Sequence, residues 1–180
     1  SHAMRWEAAR LHLLRRRLVS VEGDESCQRV SERWSPPAAH FGATLTWEYR
    51  PVRVGDIPAL SLSVSVVPDG VWPDRVPRLG VRIELGGSSW EASWLGDTLI
   101  GYSDMRVPGA RGYGRAEASD LWDVCVRPQE GGQRLDLEAL SLRGEAGEFL
   151  ILPASPVGWS VSPWNERELA QAAHWEDLPD

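Results

Sequence analysis

Enzymatic chemistry leaves a spacing in a sequence: paired carboxylates, a nucleophile beside its base, or clustered metal ligands. Glu130 is the acid set inside the most distinctive stretch of this chain, Val126-Arg127-Pro128-Gln129-Glu130-Gly131-Gly132-Gln133-Arg134-Leu135-Asp136. Glycoside cleavage through a covalent intermediate needs two carboxyl groups about 5 Å apart, one on each side of the scissile bond. Glu130 has no partner acid in such a context, so no catalytic residue is assigned. A Glu after Pro-Gln at a tight turn instead accepts backbone N–H bonds, or pairs with an arginine. Arg127, Glu130, Arg134 and Asp136 therefore read as a buried ion network that fixes a loop to a strand. His12 and His40 have no partners at metal-ligand spacing. No Gly-x-Ser-x-Gly elbow and no Cys–His signature is present.

Aromatic residues offer a second kind of chemistry. The chain carries 10 tryptophans. Tryptophan is a large core anchor, and its flat ring also stacks on pyranose rings. Most of the ten are expected in the core. Trp90, Trp94 and Tyr102 are the candidates for exposed stacking, and all three lie within a glycine-rich stretch over 86–120. Long loops on a rigid sheet are where binding residues concentrate.

Composition narrows the function classes. At 180 residues the chain is long enough for one domain with a substantial core. The expected domain is a single β-sandwich over 4–180; Ser1-His2-Ala3 before Met4 reads as an expression scar. Net charge is −7, which repels phosphate and argues against nucleic acid. No apolar run approaches the length of a membrane span. All 19 basic residues are arginine, which the base composition of a GC-rich genome accounts for. Cys27 and Cys125 lie far apart without metal-ligand spacing. They read as buried thiols rather than a disulfide, which fits a reducing, cytoplasmic setting.

The elements that would position these residues are mostly strands. Between Trp6 and Leu18 a helical period competes with alternation, and the balance favours a brief helix near 5–11 and a strand over about 12–22. Cys27, Arg29, Ser31 and Arg33 then alternate with Val30, Glu32 and Trp34. Ala43–Arg50 is rich in Thr and aromatics, and Ala59–Val67 alternates apolar residues with serine. Leu79–Leu85, Leu121–Val126, Leu135–Leu142 and Glu148–Leu152 are further expected strands. Asn165 is expected to cap a helix that stops near His174, where the imidazole would meet the negative end of the helix dipole. Long strands joined by Gly/Pro turns predict an all-β antiparallel sandwich.

The Arg127–Asp136 stretch resembles the R-P-Q-E-N-G-N-R-x-D signature of the small-chain domain of β-galactosidases, family-2 glycoside hydrolases. Trp159–His174, WSVSPWNERELAQAAH, resembles a second segment of that domain, matching it at Trp164 and His174. PRLGVRIEL and Trp94-Leu95-Gly96 are similar to further family elements. After that Trp-Leu-Gly this chain reads DTLIGYSD: Tyr102 and Asp104 match, but the family's Gly-Pro and Glu are missing.

The resemblance implies an antiparallel β-supersandwich like that of galactose mutarotase, with a short C-terminal helix. It implies a non-catalytic domain that forms one wall of a galactoside pocket beside a catalytic barrel. Arg127, Pro128, Gln129, Glu130, Arg134, Asp136, Trp164 and His174 would be structural members of the family motifs. The barrel acids are absent here, so the chain is expected to be inactive alone. Both ends read as cut, short of the family's pocket-facing residue, and exposed strand edges are expected to favour homo-oligomers. No cofactor is expected on this chain; the parent family's Mg and Na would bind mainly elsewhere. A stand-alone carbohydrate-binding or protein-interaction module is the alternative. Mutarotase chemistry would need a Glu and a His facing one sugar, and Glu130 with His174 is the pair the motifs offer.

Overall fold

The computed structural model describes residues 2–76, 78–87, 89–102, 110–122, 128, 131–145 and 147–178. It forms two compact units, Ser1–Val81 and Arg82–Asp180. Every strand pair is antiparallel, and the helices are short, so the protein is all-β as the alternation predicts.

The first unit opens with α1 (His2–Ala8) and a 3-10 turn (Leu11–Leu13). A four-stranded meander follows: β1 (Arg15–Gly23), β2 (Gln28–Ser35), β3 (Gly42–Val54) and β4 (Ile57–Asp69). The Asp24 carboxylate closes the first hairpin by accepting from the N–H groups of Ser26 and Cys27, at 2.8 and 3.2 Å. Gly55, at φ 59, supplies the left-handed residue of the two-residue turn between β3 and β4. Register places Val30, Trp47 and Val64 in one cross-strand row, and Glu32, Leu45 and Val66 in the next. The other face carries Ser31, Thr46 and Ser65 in one row.

The second unit holds β5 (Trp90–Asp97), β6 (Arg111–Glu117), β7 (Arg134–Leu137), β8 (Ala139–Gly144), β9 (Gly147–Ile151) and β10 (Val157–Trp159). One sheet runs β6-β5-β8-β9, and β10 pairs with β7. Its core gathers Ala92, Trp94, Leu121, Leu137, Leu140, Leu142 and Trp159. α2 (Glu166–Gln171) starts at Asn165, whose Oδ1 accepts from the N–H groups of Arg167 and Glu168 while Glu168 bonds back to the Asn165 N–H.

Four expectations change. The glycine-rich stretch contains two strands, β5 and β6. The glycines of β6 hid it, yet they are required: a Cβ at Gly114 would lie 2.2 Å from the Trp94 ring. Leu79–Leu85 alternates in sequence but joins no ladder among the described residues. Leu135–Leu142 is two strands, parted at Glu138, whose N–H goes to the Leu95 carbonyl at 2.9 Å; Asp136, at φ 52, sits inside β7 where its register against β10 shifts. Leu121 ends a 3-10 turn (Ala118–Leu121), and the rest of the expected Leu121–Val126 strand falls largely outside the described residues. No described helix is long and apolar enough to cross a membrane, a statement that leaves strands untouched.

Candidate functional site

Arg134 is the centre of the second unit. It lies on β7 opposite Trp159 of β10 and is 7% exposed. Its guanidinium stands over the Trp94 ring at 5.3 Å and the Trp159 ring at 5.9 Å. One terminal nitrogen donates to the carbonyls of Leu121 and Gly132, at 3.2 and 2.8 Å. Trp94 and Trp159 meet edge-on at 5.3 Å, and the Trp94 indole donates to the Asp97 carbonyl at 3.1 Å. Burial pushes the Arg134 guanidinium below its usual pKa. The charge is therefore balanced by carbonyl dipoles and ring faces; no described carboxylate pairs with it. The ion network expected around it is not formed by Arg134 with described residues, and Arg127, Gln129 and Glu130 lie outside them. Pro128 is buried.

The stacking candidates separate. Trp94 is 4% exposed, which corrects its placement among exposed aromatics: its indole fills the core above Gly114. Trp90 is half-buried against that core. Tyr102 is 37% exposed, and the preceding Gly101 N–H donates to the Gln133 carbonyl at 2.9 Å, which ties Tyr102 to the signature stretch. Asp104 lies outside the described residues.

Trp164 meets Trp122 edge-on and Trp175 at a tilt, with ring centroids at 6.1 and 5.8 Å. His174 is exposed and lies beyond α2, before a 3-10 turn (Trp175–Asp177). Its expected place at the helix end is corrected: the helix stops at Gln171. The His174 backbone N–H donates to the Asp177 carboxylate at 2.9 Å, and this bond with that from Ala173 holds the Asp177 pKa down.

Sequence reasoning passed over a polar cluster on the apolar face of the first unit. Glu32 is 6% exposed and accepts from Arg16 at 2.8 Å, Trp34 at 3.0 Å and Trp47 at 3.3 Å. Its signal was visible: an acid alternating with Val30 and Trp34 on one strand face. On the opposite, serine-bearing face, Glu48 bridges Arg50 and Arg29, at 2.8 and 2.7 Å. A shallow cleft of about 300 Å³ touches Asp24, Cys27, Tyr49 and Leu60. Cys27 is a free, half-buried thiol; Cys125 lies outside the described residues. No group of three or more His, Cys, Asp or Glu among the described residues could hold a metal ion.

The Glu48 cluster predicts an acid limb. Hydrogen bonds from Arg50, then Arg29, hold the Glu48 pKa at about 2 against an ordinary value of 4.5. A depressed folded pKa contributes stability above the unfolded value and loses it as pH falls through the folded one. The urea midpoint is therefore flat above pH 5 and falls between about pH 4.5 and 2. Glu48→Gln makes that fall shallower. An unchanged slope would show that the cluster does not contribute. Added salt shrinks the difference, since the pair is exposed.

Taken together, these features define an antiparallel β chain whose signature arginine is buried against two tryptophan rings in the core of the second unit. The family model for the β-galactosidase small chain matches residues 1–180, and the chain belongs to that family. It is 28% identical over 187 residues to a β-galactosidase of Arthrobacter sp. (strain B7). That match covers 100% of this chain and 18% of the relative, so the chain spans under a fifth of that protein's length.

Proposed function

We propose that this chain is the non-catalytic small-chain part of a β-galactosidase, acting beside a catalytic barrel in the hydrolysis of terminal β-D-galactosides. Its membership in the small-chain family carries this reading. The supersandwich of the galactose mutarotase type belongs to the same proposal, as does a cytoplasmic setting. On this reading the chain closes one wall of the sugar pocket. Tyr102 is the best-placed aromatic for the sugar, exposed and tied to the signature stretch, with Trp90 second. Trp94, Arg134, Trp159 and Trp164 hold the wall in shape. The parent's metal ions are proposed to bind mainly elsewhere than on this chain.

Reconstitution tests the proposal. The chain is mixed with a β-galactosidase barrel fragment lacking its small chain, and hydrolysis of a chromogenic β-galactoside is followed. Neither piece is active alone, and the mixture is. A barrel fragment that works equally well without the chain refutes the proposed role. Saturable quenching of the chain's tryptophans by galactose, without any gain in hydrolysis, moves the assignment to a stand-alone sugar-binding module.

A further inference from the structure

β4 ends its sheet, and among the described residues it pairs with β3 alone. The direction of its free backbone groups follows from its prolines. Register sets Arg53 against Pro58, Pro51 against Leu60 and Ala43 against Pro68. Proline has no N–H, so none of these pairs can exchange both ladder bonds; all three are of the non-hydrogen-bonded kind. The two kinds alternate along an antiparallel ladder. Every even-numbered residue of β4 therefore turns its backbone N–H and C=O away from β3. Leu60, Leu62, Val64 and Val66 present open donors and acceptors, and Pro58 and Pro68 close the row at each end.

Edges of this kind are normally blunted by charge. This one has no charged residue from Ile57 through Pro68. Leu60 is 64% exposed and Leu62 38%. An uncharged, alternating edge rich in β-branched residues would aggregate unless something covered it.

The sequence of the edge identifies its cover. Ser63 lies midway between Pro58 and Pro68. Antiparallel pairing of β4 with a second β4 about Ser63 sets Leu60 against Val66, Leu62 against Val64, Ser61 against Ser65, and Ser63 against itself. Each apolar side chain from Leu60 to Val66 then meets an apolar one and each serine a serine, and Pro58 falls opposite Pro68, where neither strand has an N–H to donate, so the new ladder ends there. We propose that β4 pairs edge to edge with β4 of a second copy about a two-fold axis at Ser63, joining two four-stranded sheets into one. Such an isologous contact closes on itself and covers the β4 edge of both copies at once. The inference does not depend on the galactoside reading, and reconstitution of hydrolysis does not test it.

The test is the mass of the 180-residue chain by sedimentation equilibrium, for the parent and for Ser63→Lys and Ser63→Glu. The parent is a dimer of twice 20.0 kDa. Each charged variant faces its own charge across the axis and dimerises at least about tenfold more weakly. An equimolar mixture of the two restores the dimer, because opposite charges then meet. A monomeric parent, or charged variants that dimerise like the parent, overturns the proposal. Ser63→Cys covers the case in which the charged variants misfold. Under mild oxidation it cross-links two chains faster than Ser61→Cys, whose neighbour across the contact is Ser65. Equal cross-linking of the two variants also overturns it.

Discussion

Trp94→Ala destabilises the protein by about 3–5 kcal/mol, the range for deleting a buried tryptophan side chain. Three separate contacts support the upper part of that range. The ring is 4% exposed within the core cluster. It meets Trp159 edge-on at 5.3 Å, an arrangement that adds about 0.5–1.5 kcal/mol beyond area burial. It also provides one of the two faces over which the buried Arg134 guanidinium rests, 5.3 Å away. Alanine would leave a cavity above Gly114 and half-uncover a desolvated cation. Backbone relaxation offers little relief, since β5 is held by β6 on one side and β8 on the other. Urea unfolding followed by far-UV circular dichroism measures the loss, and hydrogen exchange in β5 and β8 locates it. Trp94→Phe separates the terms: it keeps much of the ring packing and loses the 3.1 Å bond to the Asp97 carbonyl, at about 1–2 kcal/mol. A loss below about 1 kcal/mol for the alanine variant would show that the core closes without Trp94.

What could be read in advance follows the same physics. β2 and β4 were legible because nothing interrupts their period-two alternation, and each alternating set lands on one face. The start of α2 was legible because Asn165 carries the capping chemistry in its own side chain. β6 was not, since Gly112 and Gly114 resemble a loop until the Trp94 ring is placed over the second of them. The break between β7 and β8 was equally hidden: LDLEALSL alternates without a gap, and the interruption at Glu138 shows only once its N–H is set against the Leu95 carbonyl of β5. Leu79–Leu85 shows the converse, alternation that joins no ladder among the described residues.

The site divides in the same way. The signature could be recognised as a motif, but not the duty of its arginine. Arg134 was expected to meet a carboxylate, and two indole faces and two carbonyls surround it instead. Those four groups come from β5, β10 and the segments around Leu121 and Gly132, so local sequence carries no trace of the arrangement. Trp94 stood among the candidates for exposed stacking for a related reason: exposure depends on the opposing element, and its partner Trp159 is far along the chain.

Glu32→Ala, in the other unit, costs about 2–4 kcal/mol. The carboxylate is 6% exposed, and it gathers two indole N–H groups and one guanidinium. Its removal strands Trp34 and Trp47 with unmet donors on an apolar sheet face, a penalty of about 1–3 kcal/mol for each that is kept from water. The Arg16 term is smaller, because that side chain is 65% exposed and stays hydrated without a partner. Glu32→Gln distinguishes the contributions, since its amide oxygen still accepts from the indoles while the charge is gone; it costs about half as much. pH supplies an independent reading. Burial pushes the Glu32 carboxyl up, but the donors Trp34, Arg16 and Trp47 together outweigh it and hold the pKa below the ordinary 4.5. A group so depressed stabilises the fold above its unfolded pKa, and that contribution drains away as pH falls through the folded value. The gap between the parent and Glu32→Gln is therefore full at pH 7 and narrows below about pH 4.5. If the gap were constant with pH, the carboxylate's charge would contribute nothing, and Glu32 would act through hydrogen bonding alone.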